Sequence, residues 1–178
     1  MLEYLLAVGL LCLTWLLLKW LQTRLIFAPR SRTANDGLPR GFPYQTLHIP
    51  TELPTRWVEA WWMPCPERPT PLVVFCHGNS GNLSGRGHVA RMELVRQAGF
   101  SVIGFDYAGF GNTPGTPSEW ACYANLDAII SHLVTARSIR PSDIILYGHS
   151  LGGAVAIHAA WKWARRHTPF RGLLTECT

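Results

Sequence analysis

Residues 143–153 read DIILYGHSLGG, and this stretch decides the expected fold. Its apolar run from Ile144 to Tyr147 predicts a buried strand, and the residues after it have the composition of a helix. Between the two lies the pattern G-x-S-x-G around Ser150. A serine in this position is typical of a nucleophile on a sharp turn, where small neighbours such as Gly148 and Gly152 are needed. The helix N-terminus would then offer N–H groups to a developing oxyanion.

The rest of the chain repeats this alternation of strand and helix. Further apolar runs and helical stretches alternate at 71–76, 87–98, 101–107, 118–137, 151–166 and 172–176. Apolar runs of this kind predict a parallel sheet that is covered by helices on both faces. Two segments before them, 45–49 and 56–63, are rich in β-forming residues and predict a leading hairpin.

Short motifs follow two of the other strands. HGN, His77 to Asn79, comes after the first apolar run, and DYAGFG, Asp106 to Gly111, comes after the next. Together with GHSLGG, their order and spacing resemble the α/β-hydrolase superfamily. They are most similar to its membrane-anchored serine hydrolases, the Bem-type and serine-aminopeptidase-like branch, over residues 24–177. The resemblance implies an α/β-hydrolase fold with a mostly parallel sheet.

The resemblance also implies the roles of the site residues. Ser150 would attack an acyl carbonyl, and the backbone N–H groups of Asn79 and Leu151 would form the oxyanion hole. Asp106 is expected to bond to nearby backbone rather than to take part in catalysis. No metal or organic cofactor is implied. The residues expected to support the two motifs are His77, Gly78, Gly148 and Gly152.

The acid and the histidine that would activate Ser150 are not apparent in the chain. In this family they follow the serine in that order. His158 and His167 are both expected on the helix that Ser150 opens, too far along it to reach the hydroxyl. Glu176 is either an acid placed one strand early or a rim residue that forms hydrogen bonds. We therefore expect a C-terminally truncated domain whose acid and histidine lie beyond Thr178.

The chain begins with an apolar segment. Residues 4–18, YLLAVGLLCLTWLLL, carry no charge, and Trp15, Lys19 and Trp20 suit a membrane interface. Extended to Leu21, the segment gives roughly 27 Å of helix and nearly spans a bilayer, so one uncleaved transmembrane anchor is expected. A signal peptide is the main alternative, although a positive n-region and a cleavage site are missing, and a buried or interfacial helix is the other. The basic residues that follow place the globular part in the cytoplasm.

Composition limits the organisation further. The 178 residues divide into a transmembrane anchor at 1–23, a turn-rich linker at 24–43 and a partial hydrolase domain at 44–178. The net charge is +5, but the basic residues form two separate groups rather than one continuous stripe, so no nucleic-acid partner is expected. The five cysteines form no C-x-x-C pair and fit a reducing compartment. The oligomeric state is left open.

The expected function is hydrolysis of an acyl ester, thioester or amide, with a small molecule or a lipid as acyl substrate. Two alternatives remain. One is a catalytically inactive, truncated membrane protein or interaction module, and the other is an acyltransferase on the same scaffold. A probe for reactive serines would separate the first from a hydrolase, and identification of the products would separate the second.

Overall fold

The computed structural model describes residues 1–33, 37–51, 56–67 and 71–178, with the backbone alone at Leu2 and Glu3. The helices in these ranges are α1 Leu2–Ile26, α2 Arg86–Gln97, α3 Glu119–Arg137 and α4 Leu151–Ala164. The strands are β1 Ala28–Pro29, β2 Gln45–Pro50, β3 Trp57–Met63, β4 Leu72–Cys76, β5 Ser80–Gly81, β6 Ser101–Phe105, β7 Ile144–His149 and β8 Gly172–Glu176.

The main sheet of the described chain has six strands in the order β2-β3-β6-β4-β7-β8. The last four of these run parallel, and the antiparallel pair of β2 and β3 joins them through an antiparallel contact between β3 and β6. The predicted mostly parallel sheet is confirmed. From β4 the chain passes to β6 on one side and then through α3 to β7 on the other. The carboxyl ends of β4 and β7 therefore border a switch point, where open α/β sheets bind ligands.

The side chains of β4 alternate between two apolar clusters, one on each face of the sheet. Leu72, Val74 and Cys76 pack in the cluster that contains residues of α3 and α4, whereas Val73 and Phe75 pack in the cluster that contains residues of α2. All five are buried. Helices therefore cover both faces, which is why this strand has no polar side.

The helix ends agree with the sequence except at the end of α4. α2 and α3 begin and end within one residue of the predicted bounds. α4 ends at Ala164, and His167 lies beyond it with φ 57°, so the expectation that His167 belongs to this helix was wrong. The Thr168 N–H donates to the Trp163 carbonyl at 3.2 Å and closes the helix, and Pro169 cannot continue it.

α1 is an apolar helix with exposed side chains. Its segment Tyr4–Ile26 has a mean hydropathy of 1.9 and is long and apolar enough to cross a membrane. Large residues such as Leu11 and Leu25 are 70% and 72% exposed, as expected for a helix that contacts lipid. The predicted anchor ended at residue 23, and the helix continues to Ile26.

The segment directly after α1 packs against the globular part. β1 pairs in parallel with β5, and Phe27 belongs to the apolar cluster on the α3 and α4 side. Arg32 forms ion pairs with Glu59 and Asp106. This part of the predicted linker is therefore bound to the domain, because its side chains complete the core. Residues 34–36 of the linker lie outside the described residues, and the division into anchor, linker and domain stays a prediction.

β8 lies at the edge of the main sheet and exposes Leu173 and Leu174. Apolar edge strands favour pairing with a second chain. We expect Leu174→Lys to reduce concentration-dependent self-association without altering the fold, because the side chain is 54% exposed and a charge opposes strand pairing. Size-exclusion chromatography with light scattering, in detergent and at several protein concentrations, measures this effect. Equal self-association of the variant and the wild type would contradict it.

Candidate active site

Ser150 lies at a sharp turn between a strand and a helix. β7 ends at His149 and α4 begins at Leu151, so a single residue joins the two elements. Its φ of 52° and ψ of −119° are a combination that residues with a side chain rarely adopt. The Ser150 N–H donates to the carbonyl oxygen of Glu176 on β8 at 2.8 Å, which holds the turn against the sheet. The half-buried serine thus stands at the carboxyl end of the parallel strands.

Two glycines allow this turn to approach its neighbours. A Cβ atom at Gly148 would lie 2.5 Å from the Cα atom of Gly153 in the first turn of α4. A Cβ atom at Gly152 would overlap the carbonyl group of Cys76 and would lie 2.7 Å from the carbonyl oxygen of His77. The start of α4 is therefore in close contact with the end of β4, where the HGN motif begins.

His77 belongs to a buried network beneath the loop that follows β4. Its Nε2 atom lies 3.2 Å from Oδ1 of Asp106, and both side chains are fully buried. Its Nδ1 atom lies 2.7 Å from the carbonyl oxygen of Gly78. The Tyr107 hydroxyl donates to the His77 carbonyl at 3.0 Å. These contacts connect the carboxyl ends of β4 and β6.

Asp106 accepts hydrogen bonds from outside its own turn. Its Oδ1 atom accepts from the Leu83 N–H at 2.6 Å, and its Oδ2 atom lies 3.5 Å from the Arg32 guanidinium. The sequence predicted bonds to nearby backbone only, whereas the carboxylate joins β6 to two segments that are distant in sequence. A fully buried carboxylate requires such partners, because an unpaired charge in the interior is costly.

Asn79 connects the HGN motif to the end of α1. Its side-chain Nδ2 donates to the carbonyl oxygen of Ile26 at 2.9 Å, across 53 positions of sequence. Its own carbonyl accepts from the Ala28 N–H at 3.0 Å, and the carbonyl of Gly81 accepts from the Arg30 N–H at 2.8 Å. The loop after β4 is therefore held by the segment that leaves α1. Sequence reasoning missed this connection, because no local pattern marks a contact between such distant residues.

Glu176 is held at the rim of the site by two side chains. Arg91 on α2 donates to both carboxylate oxygens, at 2.6 and 2.8 Å, and the Tyr147 hydroxyl donates to one of them. The hydrogen bonds from Arg91, followed by the one from Tyr147, lower the pKa of Glu176 to about 2. Of the two roles that the sequence left open, these contacts correspond to rim hydrogen bonding. Arg91 carried no signal in the sequence.

The other histidines near the site have distinct environments. His158 on α4 stacks on Tyr123, with ring centroids 3.7 Å apart. His88 on α2 is half-buried, with its Nδ1 atom 2.8 Å from the carbonyl oxygen of Asn82. Burial lowers the pKa of His88 to about 4, so the ring is neutral at pH 7. Burial also lowers the pKa of His149, whose ring lies 6.1 Å from that of His88.

One group of side chains has the spacing of metal ligands. Possible ligand atoms of His149, Glu176 and Cys177 lie within 4.8 Å of one another. A cation there would have to displace Arg91, which already forms an ion pair with the Glu176 carboxylate at 2.6 Å. The electrostatics of this group therefore do not favour a metal.

The contacts of Glu176 predict a loss of stability in acid. A carboxyl group whose pKa is lower in the folded state stabilises the fold above its unfolded pKa of about 4.3. This contribution disappears as the pH falls towards 2, the pKa of Glu176 in the fold. We expect the unfolding midpoint of the wild type to fall more steeply between about pH 5 and pH 2 than that of Glu176→Gln. Differential scanning fluorimetry in detergent measures both midpoints.

Arg91→Gln tests the same ion pair by removing the partner of Glu176. It should flatten the same part of the pH profile, since it removes the main cause of the lowered pKa. Because the Glu176 side chain is 36% exposed, screening by solvent keeps the change small. Parallel profiles for the wild type and both variants would contradict this role of the ion pair.

Comparison with known proteins identifies the family. Residues 73–177 match the Alpha/beta hydrolase family. The match covers more than half of the chain and includes all but the first residue of β4 as well as the turn at Ser150. The chain belongs to the alpha/beta hydrolase family. The family inferred from the HGN and GHSLGG motifs is thereby confirmed.

Relatives in this family include membrane proteins and lipases. The uncharacterized membrane protein YNL320W of Saccharomyces cerevisiae is 33% identical over 146 residues, which cover 80% of this chain and 50% of that protein. The lysophosphatidylserine lipase ABHD12 of Rattus norvegicus is 34% identical over 107 residues, which cover 60% of this chain and 26% of that protein. The chain thus spans between about a quarter and a half of the length of these relatives.

Solved structures share the alpha/beta hydrolase fold. An alpha-beta hydrolase from Vibrio vulnificus superposes with a TM-score of 0.66 at 23% identity, over 73% of this chain and 44% of its own. The esterase Pf2001 from Pyrococcus furiosus gives a TM-score of 0.64 at 22% identity, over 76% of this chain and 51% of its own. At these identities the likeness concerns the fold.

Proposed function

We propose that this member of the alpha/beta hydrolase family is a serine hydrolase in which Ser150 attacks the carbonyl carbon of an acyl ester, thioester or amide. The observation that carries the proposal is the backbone of Ser150, with φ 52° and ψ −119°, at the junction of β7 and α4. In the context of G-x-S-x-G, a strained strand-to-helix turn exposes a nucleophile at the top of the sheet. Strain of this kind is concentrated at functional sites.

The backbone N–H groups of Leu151 and Asn79 are the proposed oxyanion hole. Leu151 is the first residue of α4, and the N–H groups of a first helical turn have no partner within the helix. The close approach of Gly152 to the His77 carbonyl supports placing the HGN loop beside this helix end. Removal of one oxyanion donor typically costs about 3 to 4 kcal/mol of transition-state stabilisation.

The catalytic cycle also requires an acid and a histidine. We place both outside residues 1–178, since the chain spans half or less of the relatives compared above. The histidine takes the hydroxyl proton as Ser150 Oγ bonds to the acyl carbon, and then returns it to the leaving group. Water then releases the acyl group and restores the serine.

A lipid ester in or at a membrane is the proposed substrate, and the globular part is placed on the cytoplasmic side. Two features support this choice. The helix Tyr4–Ile26 is apolar enough to span a bilayer, and one relative is by name a lipase for a lysophospholipid. Arg24 lies in the last turn of this helix and Arg30 follows it closely, which favours the cytoplasmic side for this end of the helix.

A fluorophosphonate probe tests the nucleophile. In a chain extended to the length of the relatives, we expect covalent labelling of Ser150, located by mass spectrometry, and its complete loss in Ser150→Ala. Ser138→Ala is the matched control and should keep the label. Ser138 also has a positive φ, 53°, but it ends α3 rather than joining a strand to a helix.

The same probe separates the remaining alternatives. It should be applied to the 178-residue chain and to a chain extended to the length of the relatives. Labelling of Ser150 in either one supports the proposal, and labelling only in the extended chain places the missing acid and histidine in the added part. Absence of labelling in both would overturn the proposal and favour an inactive membrane protein or interaction module. If products form from an added alcohol rather than water, the enzyme is an acyltransferase.

A further inference from the structure

The end of the anchor helix borders a cavity that is also lined by Leu151, the residue after the proposed nucleophile. We propose that this cavity binds the hydrocarbon chain of a membrane lipid ester, which enters from the bilayer along α1 and places its ester group at Ser150. The inference rests on the proposed hydrolase function, because it names the substrate class of that same site. It also assigns to α1 a part in substrate binding in addition to anchoring.

The first support is the rigid attachment of α1 to the site. The Asn79 side chain donates to the Ile26 carbonyl at 2.9 Å, and the Asn79 carbonyl accepts from Ala28. Phe27, the residue after the helix, is 8% exposed and packs in the same apolar cluster as Leu126 of α3 and Val155 of α4. The last turn of the helix is therefore held in a defined position against the domain.

The second support is the size and position of the cavity between α1, α3 and α4. Its volume is about 320 Å³, within the range of roughly 300 to 1,000 Å³ that small-molecule sites occupy. Thr23 and Ile26 line it from α1, Cys122 from α3, and Leu151 and Ala154 from α4. Leu151 directly follows Ser150, so the cavity lies beside the strained turn, and Lys19 and Thr23 line it from α1.

The third support is the chemistry of the lining. The walls contributed by Ile26, Leu151 and Val155 are hydrocarbon. Burial raises the pKa of Cys122 to about 12, so its thiol is neutral and presents an apolar surface. Lys19, which also lines the cavity, lies about two turns before Ile26 on the side of the bilayer. Polar side chains, among them Gln22 and Glu119, also line the cavity. A lipid ester matches this mixed lining, since its hydrocarbon chain can pack on the apolar walls and its polar part can face the polar side chains.

Photo-crosslinking of the full chain in lipid nanodiscs tests this inference. The probe is a palmitoyl glycerol ester with a diazirine in its acyl chain. We expect crosslinks on the peptides of α3 and α4 that contain Cys122 and Ala154, in addition to those that α1 acquires from lipid. Thr23→Trp should fill the cavity and lower the crosslinks on α3 and α4 at least tenfold.

Thr14→Trp is the matched control. Thr14 and Thr23 each donate a hydroxyl to the carbonyl four residues earlier in α1, at 2.8 and 3.0 Å, but only Thr23 is among the residues that line the cavity. The control should therefore keep the crosslinks on α3 and α4. Circular dichroism and the unfolding midpoint establish that both variants are folded.

The outcomes separate this inference from the proposed function. Crosslinks confined to α1, or equal losses in the two tryptophan variants, would overturn it. Ser150→Ala should keep the crosslinks on α3 and α4, because binding of the chain does not need the hydroxyl. Fluorophosphonate labelling of Ser150 without these crosslinks would leave the hydrolase proposal intact and refute only the path along α1.

Discussion

Replacing Gly152 by alanine is expected to disrupt the turn at Ser150 and to abolish fluorophosphonate labelling of a chain extended to the length of the relatives. The added Cβ would overlap the backbone carbonyl of Cys76 and lie 2.7 Å from the His77 carbonyl oxygen. Neither neighbour is a flexible side chain, so β4 and the start of α4 must move apart. Overpacking of this kind typically costs about 1 to 3 kcal/mol, and rigid backbone on the opposing side makes the upper end the expectation.

The consequence for the site follows from where the overlap occurs. α4 carries Ser150 and Leu151 at its start, and the loop after β4 carries Asn79. Separation of the two elements would separate the proposed nucleophile from one of its oxyanion donors. The measurements are the labelling yield of Ser150 and the unfolding midpoint in detergent.

Gly172→Ala is the control for the loss of a glycine as such. A Cβ atom at Gly172 would meet only side-chain atoms of Ile145 at 3.9 Å, an ordinary contact. We expect this variant to retain its stability and its labelling. If Gly152→Ala behaved in the same way, the close packing of α4 against β4 would be wrong.

The second large effect, a loss of folding stability, is expected for Arg32→Met. Arg32 is 16% exposed, and it forms ion pairs with Glu59 and Asp106, which are 3% and 0% exposed. Its guanidinium also lies over the ring of Trp61, 4.5 Å from the centroid. Loss of the cation leaves two carboxylates inside the protein with less compensation, and breaking a buried pair in this way costs about 3 to 5 kcal/mol. For a chain of this length the melting temperature should fall by roughly 6 to 20 °C.

Arg166→Met is the control, since it removes the same charge from an exposed position after α4. Its melting temperature should remain close to that of the wild type. A similar melting temperature for Arg32→Met would show that the segment after α1 contributes little to the fold. The segment would then act only as a linker, as the sequence predicted.

The parts of the fold that the sequence predicted well are local. Ser118 accepts a hydrogen bond from the Ala121 N–H at 3.1 Å and so begins α3 within one residue of the expected position. The turn at Ser150 was equally apparent, because its strand, its glycines and its helix follow one another within residues 144–153. Patterns of this kind depend on the chain within one or two turns of each residue.

The parts that the sequence did not predict depend on side chains that meet across elements. Arg91 and Glu176 are 85 positions apart, and Arg32 and Asp106 are 74 apart. Nothing near Arg91 distinguishes it from a solvated residue on a helix surface. Its partner is set by the packing of α2 on the sheet, which allows the Arg91 side chain to reach Glu176 at the end of β8.

The sequence by itself determined the alternation of strands and helices, the apolar helix at the start and the position of the turn at Ser150. Each of these features depends on a short periodic or glycine-rich pattern of residues. Only the tertiary structure decided that the end of that helix borders the site and that the segment after it completes the core. These features arise from sheet order and helix packing. They bring together residues whose distance in the chain carries no information about their distance in space.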